Sequence, residues 1–148
     1  MVKKIWLAED DPDDADLFVE ALNDIDKSVV CNWARNGKEL ITKLSVINSD
    51  YPELIFLDIN MPEMNGWECL TYLKGHEVFK NIPVIIYSTS SAKNNGQNAI
   101  ELGALCFYEK PSNFVMFKEF LEIITKSNLK KDCLVNKLSA SLQRVFFN

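Results

Sequence analysis

Short apolar runs of the sequence end in polar side chains that could bind a ligand. These side chains are Glu9, Asp10, Asp58, Ser88 and Lys110. Carboxylates brought within a few ångströms of one another repel strongly unless a cation lies among them. Mg²⁺ suits such a site, because it prefers oxygen ligands and usually takes one or two carboxylates together with phosphate oxygens. The cation of Lys110 and the hydroxyl of Ser88 complete the groups that hold a phosphate, so we predict phosphoryl transfer to Asp58.

The apolar runs predict five β-strands, and the segments between them predict helices. The strands are short and rich in β-branched or aromatic residues, and they are Lys4–Ala8, Val29–Ala34, Leu54–Leu57, Val84–Tyr87 and Leu105–Tyr108. The helices repeat apolar residues at a spacing of three or four, and they are Ala15–Leu22, Lys38–Ile47, Trp67–Leu73, Ala99–Leu102 and Phe114–Ile124. Helical crossovers between strands require a parallel sheet. We therefore predict an α/β fold with a doubly wound five-stranded parallel sheet in the flavodoxin-like order 2-1-3-4-5, which binds ligands at the carboxyl ends of its strands.

The end of the chain predicts one extra helix. Residues 129–148 place Leu134, Leu138, Leu142 and Val145 at helical spacing. This segment is too short to bury a core of its own, so we predict a C-terminal helical extension and no separate output domain. Its apolar stripe packs either on its own domain or on a second copy in a homodimer, and the sequence leaves both alternatives open.

Composition excludes several classes of protein. A net charge of -5 over 148 residues argues against a nucleic-acid partner. No stretch reaches the roughly 20 apolar residues that a membrane helix needs. The start, MVKKIWLAEDD, is too short an apolar run for a signal peptide, and the four cysteines are scattered, so we expect a cytoplasmic protein with reduced thiols. The single histidine, His76, argues against a zinc cluster and against a Ser-His-Asp hydrolase.

Four stretches in order along the chain resemble the receiver domain of two-component response regulators. They read KIWLAEDDPDDADLF, ELIFLDINMPEMNGWE, IPVIIYSTS and GALCFYEKP. The resemblance covers the chain from Met1 to about Ser127, so it implies a receiver domain over residues 1–128. A softer likeness connects the chain with stand-alone, chemotaxis-regulator-like receivers and with regulators paired with phytochrome-type kinases.

The resemblance implies a role for each site residue. Asp58 would be the phosphoacceptor, and Ser88 and Lys110 would each contact a phosphoryl oxygen. Mg²⁺ would be held by Glu9, Asp10, Asp58 and the backbone carbonyl of Asn60. Ser88 would also act in a conformational switch with Phe107, which lacks the phenol of many relatives and so would work through packing alone. By contrast, we interpret Asp11, Asp13 and Asp14 as a solvated acidic helix start.

The resemblance implies a signalling protein that is not an enzyme and assists only its own phosphorylation and dephosphorylation. Its partners would be a sensor histidine kinase or a phosphotransfer protein, and an unknown downstream protein. One alternative is a degenerate receiver that binds partners without phosphorylation. Another is an aspartate-nucleophile phosphatase, which would carry a second Asp where Asn60 stands. A helical histidine phosphotransfer protein is opposed by the five predicted strands.

Overall fold

The structure is a computed structural model that describes residues 1–89 and 94–129, together with the backbone of Val145–Phe146. The strands are β1 (Lys4–Ala8), β2 (Val30–Ala34), β3 (Leu54–Leu57), β4 (Val84–Ser88), β5 (Cys106–Glu109) and β6 (Val145–Phe146). The α-helices are α1 (Pro12–Ile25), α2 (Gly37–Val46), α3 (Gly66–Gly75), α4 (Asn95–Glu101) and α5 (Phe114–Lys126). A short 3-10 helix, Phe79–Asn81, precedes β4.

The first five strands form a parallel sheet in the order β2-β1-β3-β4-β5. This confirms the predicted fold class and strand order. β3 lies at the centre of these five strands, with Leu57 opposite Ala8 on one side and Ile86 on the other. The carboxyl ends of β1, β3 and β4 therefore lie side by side, which brings the residues that follow them to one edge of the sheet.

Two hydrophobic layers cover the sheet. One layer packs α1 and α5 on the face that carries Phe56 and Tyr87, and the other packs α2, α3 and α4 on the face that carries Leu57, Ile86 and Phe107. All four residues of β3 and all five of β4 are buried. Strands that are buried on both faces are closely packed, so the residues at their ends are held in defined positions.

The end of the chain differs from the sequence-based prediction. Val145–Phe146 is a short strand that pairs antiparallel with β5, so Val145 is not part of a helix. Valine and phenylalanine favour strands, and β5 offers the unpaired backbone groups of a sheet edge. The other residues of the predicted helix, Leu134, Leu138 and Leu142 among them, lie outside the described residues, and so does the choice between self-packing and a homodimer.

Helix starts at the carboxyl edge of the sheet are fixed by side-chain caps. The Asp11 carboxylate accepts from the backbone N–H groups of Asp13 and Asp14 at the start of α1, and Pro12 occupies the first turn. Asn65 and Glu68 form a reciprocal capping box at the start of α3. These caps determine how the loops after β1 and β3 enter their helices. Within the described parts of the chain, no helix is both long enough and apolar enough to span a membrane.

Candidate functional site

Glu9 extends β1 and is fully buried at the sheet edge. Its N–H donates to the carbonyl of Ala34, and its own carbonyl accepts a 2.7 Å hydrogen bond from Trp33 Nε1. Its Oε1 atom accepts from two donors, Lys110 Nζ at 2.6 Å and the hydroxyl of Tyr87 at 3.0 Å. Backbone and side chain are therefore both fixed, although a carboxylate with no exposed surface loses its hydration.

Asp58 follows β3 and, like Glu9 after β1, continues the backbone hydrogen bonding of the sheet by one residue. Its N–H donates to the carbonyl of Ala8 at 3.0 Å, and its Oδ1 accepts from the N–H of Ile59 at 2.8 Å. Gly66 packs directly against this segment, since its N–H donates to the carbonyl of Ile59 at 2.9 Å. A Cβ atom at position 66 would lie 2.2 Å from the Asp58 carbonyl oxygen, so only glycine allows this approach. Asp58 is buried overall, and its side chain keeps 11% of its surface exposed to solvent.

Lys110 supplies the cation of the site. Its N–H donates to the carbonyl of Ser88, and its Nζ lies 2.6 Å from Glu9 Oε1, 3.2 Å from Asp14 Oδ2 and 3.9 Å from Asp58 Oδ1. Burial lowers its pKa, but the Glu9 hydrogen bond and the surrounding carboxylates outweigh burial, so the pKa of Lys110 is raised. Lys110 is therefore a permanent positive charge beside Asp58.

Three carboxylates converge at this edge. Glu9, Asp10 and Asp58 each place an oxygen within 4.8 Å of the other two. Burial is the main cause that raises the pKa of Glu9 to about 7, and the hydrogen bond with Asp58 adds to it while Lys110 opposes it. Burial and the charge of Glu9 also raise the pKa of Asp10. One lysine does not neutralise this crowding, and an all-oxygen donor set fits a hard divalent cation such as Mg²⁺.

The predicted switch residues lie on one face of the sheet. Ser88 ends β4 and is 1% exposed, and Phe107 on β5 is 7% exposed and lies in register with Ile86. Because side chains alternate along a strand, Ser88 points to the same face as Ile86 and Phe107, the face covered by α4. Asn60, two residues beyond Asp58, is exposed. The structure thus gathers Glu9, Asp10, Asp58 and Lys110, while the roles assigned to them stay predictions.

The structure adds two site residues that the sequence pattern does not reveal. Asp14, interpreted above as part of a solvated helix start, pairs with Lys110 because the first turn of α1 passes over the site. Tyr87, placed in a core strand, donates to Glu9 and lies under Lys110, whose Nζ is 4.3 Å from the ring centroid. The sequence does offer one signal for Tyr87. It ends a predicted buried strand next to a strand that is followed by an acid, and a buried tyrosine hydroxyl needs a hydrogen-bond partner. Asp11 is a helix cap, as interpreted.

The fold places the chain among flavodoxin-like α/β domains. The family model of the response regulator receiver domain matches residues 5–122, so the chain belongs to that family. It is similar to the phosphorylated cyanobacterial phytochrome response regulator RcpA, with a TM-score of 0.76, 28% identity, and coverage of 96% of this chain and 98% of that one. It is also similar to the Mn²⁺-bound response regulator Rcp1, with a TM-score of 0.73, 28% identity, and coverage of 84% and 96%.

Curated relatives include longer proteins. A protein-glutamate methylesterase/protein-glutamine glutaminase of Clostridium acetobutylicum is 33% identical over 132 residues, which is 87% of this chain but 37% of that relative. The chain spans 23% to 37% of the length of six such relatives, so the match does not carry their enzyme activities. Receiver domains belong to two-component systems, bind Mg²⁺ at an acidic pocket and interact with histidine kinases or phosphotransfer proteins. This chain carries an acidic cluster, Glu9, Asp10 and Asp58, at the carboxyl edge of its sheet.

Proposed function

We propose that this protein is a response regulator whose receiver domain accepts a phosphoryl group on Asp58 from a histidine kinase or a phosphotransfer protein, in a reaction that depends on Mg²⁺. One observation carries the proposal. The carboxylate of Asp58, which is buried except for an 11% exposed side chain, lies 3.9 Å from the Nζ of Lys110 and within the cluster that it forms with Glu9 and Asp10. A nucleophile, a permanent positive charge and an acidic pocket that can hold a metal ion are the groups that phosphoryl transfer to a carboxylate needs.

The transfer exchanges one bond for another. An Asp58 carboxylate oxygen attacks the phosphorus of a phosphohistidine, and an O–P bond forms while the P–N bond breaks. The electron pair of the broken bond stays on the imidazole nitrogen, which takes a proton from solvent. The N–H of Ile59 holds Asp58 Oδ1 at 2.8 Å, so this contact orients the carboxylate before attack.

The acidic cluster would hold the metal. Glu9, Asp10 and Asp58 each place an oxygen within 4.8 Å of the other two, and the backbone carbonyl of Asn60 would complete the donor set. When bound, Mg²⁺ supplies positive charge that stabilises the transferring phosphoryl oxygens. Lys110 supplies the remaining charge, and to do so its Nζ moves from Glu9 and Asp14 towards the phosphoryl group. The similar response regulator Rcp1 has a crystal structure of its Mn²⁺-bound form, which supports a divalent cation here.

We expect phosphorylation to change the conformation of the face of the sheet that α4 covers. The new phosphoryl group adds roughly one to two negative charges and acceptor oxygens at Asp58. We expect the Ser88 hydroxyl to move towards it and Phe107 to repack into the space left behind. This local change biases a two-state surface formed by α4, β5 and α5, on which a downstream protein would dock. The protein assists only its own phosphorylation and dephosphorylation.

Phosphorylation with a small acyl phosphate tests the proposal. In the presence of Mg²⁺, intact-protein mass spectrometry should show one added phosphoryl group on the wild-type chain, removable by hydroxylamine. Asp58→Asn should show none, because an amide is a poor nucleophile. Chelation of the metal should slow the wild-type reaction strongly.

Asp24→Asn is the matched control. Asp24 lies near the other end of α1, is half exposed and pairs with Lys118 at 3.5 Å, so its loss should leave labelling unchanged. Equal labelling of Asp58→Asn and wild type would refute the proposal. No labelling of the wild type by acyl phosphate or by a panel of phosphorylated histidine kinases would favour the degenerate receiver instead.

A further inference from the structure

Tyr87 contacts both charged partners of the site at once. Its hydroxyl donates to Glu9 Oε1 at 3.0 Å, and its ring centroid lies 4.3 Å from Lys110 Nζ. The residue is 1% exposed and faces α1 and α5, on the opposite side of the sheet from Ser88 and Phe107. Tyr87 is thus an additional neighbour of the phosphorylation machinery, distinct from the predicted switch.

The hydroxyl of Tyr87 decides how Glu9 can bind. Oε1 of Glu9 already accepts from Lys110 and from Tyr87, whereas Oε2 accepts a long 3.4 Å hydrogen bond from the N–H of Asp11. Two donors on one oxygen fix the rotation of the carboxylate. They also leave Oε2 as the oxygen that is better able to serve a cation. A group that holds a metal-site carboxylate in this way typically changes metal affinity by about 10- to 100-fold when it is lost.

The ring of Tyr87 supports Lys110. A lysine ammonium above an aromatic face is stabilised by the ring, and the effect grows when water is excluded. The Lys110 side chain is only 12% exposed. The ring itself is immobilised by edge contacts with Phe18 and Phe56, at centroid distances of 5.7 and 5.8 Å. Because the ring does not move, it offers Nζ the same surface whether the lysine pairs with Glu9 or turns towards Asp58.

We propose that Tyr87 is a positioning residue with two separable roles: its hydroxyl orients Glu9 for the metal, and its ring guides Lys110 towards the phosphoryl group. This inference rests on the proposed function, because it assigns a residue to the same site. It predicts that the two roles can be removed one at a time. Tyr87→Phe removes the hydroxyl and keeps the ring, whereas Tyr87→Leu removes both.

The test separates metal affinity from maximal rate. For the full chain, isothermal titration with Mg²⁺ should give about tenfold weaker binding to Tyr87→Phe than to wild type. At saturating Mg²⁺, Tyr87→Phe should be phosphorylated by acyl phosphate within about twofold of the wild-type rate. Tyr87→Leu should lose about a further tenfold in that maximal rate, since Lys110 loses its aromatic support.

Tyr108→Phe is the matched control. Tyr108 is equally buried, lies opposite Tyr87 in the β4–β5 register and stacks on Phe120 at 3.7 Å. Wild-type Mg²⁺ affinity in Tyr108→Phe, with weaker binding in Tyr87→Phe, supports the inference. Equal affinity of Tyr87→Phe and wild type overturns it, and so does an equal loss in both variants.

A second measurement tests the inference even if Tyr87→Phe fails to fold. Near-ultraviolet spectra of wild type and of Tyr108→Phe, each recorded with and without Mg²⁺, should show a tyrosine band that shifts as Mg²⁺ binds. The shift arises because the cation changes the charge on Glu9, the acceptor of the Tyr87 hydroxyl. Absence of that shift overturns the inference. If wild type binds Mg²⁺ but takes up no phosphoryl group, the proposed function fails, and the Tyr87→Phe titration still decides the role of the hydroxyl.

Discussion

Replacing Gly66 by alanine should damage both the fold and the site. The added Cβ would lie 2.2 Å from the carbonyl oxygen of Asp58 and 2.9 Å from Cα of Ile59. Both neighbours are backbone atoms of the segment that extends β3, so no side chain can rotate away. The Cβ–oxygen distance must grow by about 0.8 Å to reach 3.0 Å, below which real Cβ contacts are essentially absent.

This movement sets the size of the two effects. Overpacking against a rigid neighbour costs roughly 1–3 kcal/mol, and the two backbone clashes here place Gly66→Ala at the upper end, about 2–3 kcal/mol of unfolding free energy. A displacement of Asp58 approaching 1 Å should slow phosphorylation by about 100-fold, because the carboxylate no longer meets the phosphorus in line. Urea denaturation and acyl-phosphate labelling measure the two effects separately.

Gly75→Ala in the same helix is the control. A Cβ at Gly75 would have no atom within 4 Å, so alanine should leave the site untouched and add up to about 1 kcal/mol of stability. The reasoning is refuted if Gly66→Ala unfolds within about 0.5 kcal/mol of wild type and is phosphorylated at the wild-type rate. An equal loss in both variants would also refute it.

Two further predictions concern charge. Glu9 has a pKa of about 7 in the fold against an ordinary 4.5, so the folded state binds its proton more tightly than the unfolded state does. In metal-free buffer, the unfolding free energy should therefore fall by up to about 3 kcal/mol as pH rises from 4.5 to 7 and then level off. Glu9→Gln should remove this fall, and parallel wild-type and variant curves would contradict the assignment. Lys110→Met should destabilise the protein by about 3 kcal/mol at pH 8, because Glu9 loses its buried partner. The loss should be much smaller at pH 5, where Glu9 is protonated, and an equal loss at both pH values, followed by chemical denaturation, would show that the charge is not the cause.

The buried strands are predictable because their sequence signal is local. Lys4–Ala8 and Leu54–Leu57 are observed with the predicted bounds. For helix α1 the apolar pattern predicts only the centre, Ala15–Leu22, whereas the observed helix runs over Pro12–Ile25. The prediction stops short because residues 12–14 and 23–24, which flank the centre, are proline or polar. The β6 strand is not predicted, since its pairing with β5 depends on a contact distant in sequence, whereas the leucine spacing before it favours a helix.

The site is predictable where topology alone decides position. Residues at the carboxyl ends of adjacent parallel strands must meet, and Glu9, Asp10 and Asp58 do so. The contacts of Asp14 and Tyr87 with Lys110 depend on side-chain rotamers and on the path of α1, which no strand pattern encodes. A carboxylate that the sequence assigns to a solvated helix start therefore belongs to the ion-pair network.

The hydrogen bond from Trp33 to Glu9 connects an intrinsic fluorophore to the candidate site. The half-buried indole donates its Nε1–H to the Glu9 carbonyl at 2.7 Å, on the residue whose carboxylate meets the site. Indole emission responds to nearby charge and to changes in its hydrogen bond. If the proposed function holds, cation binding and phosphorylation should therefore change the emission of Trp33, so the timing of both events could be followed in unlabelled protein.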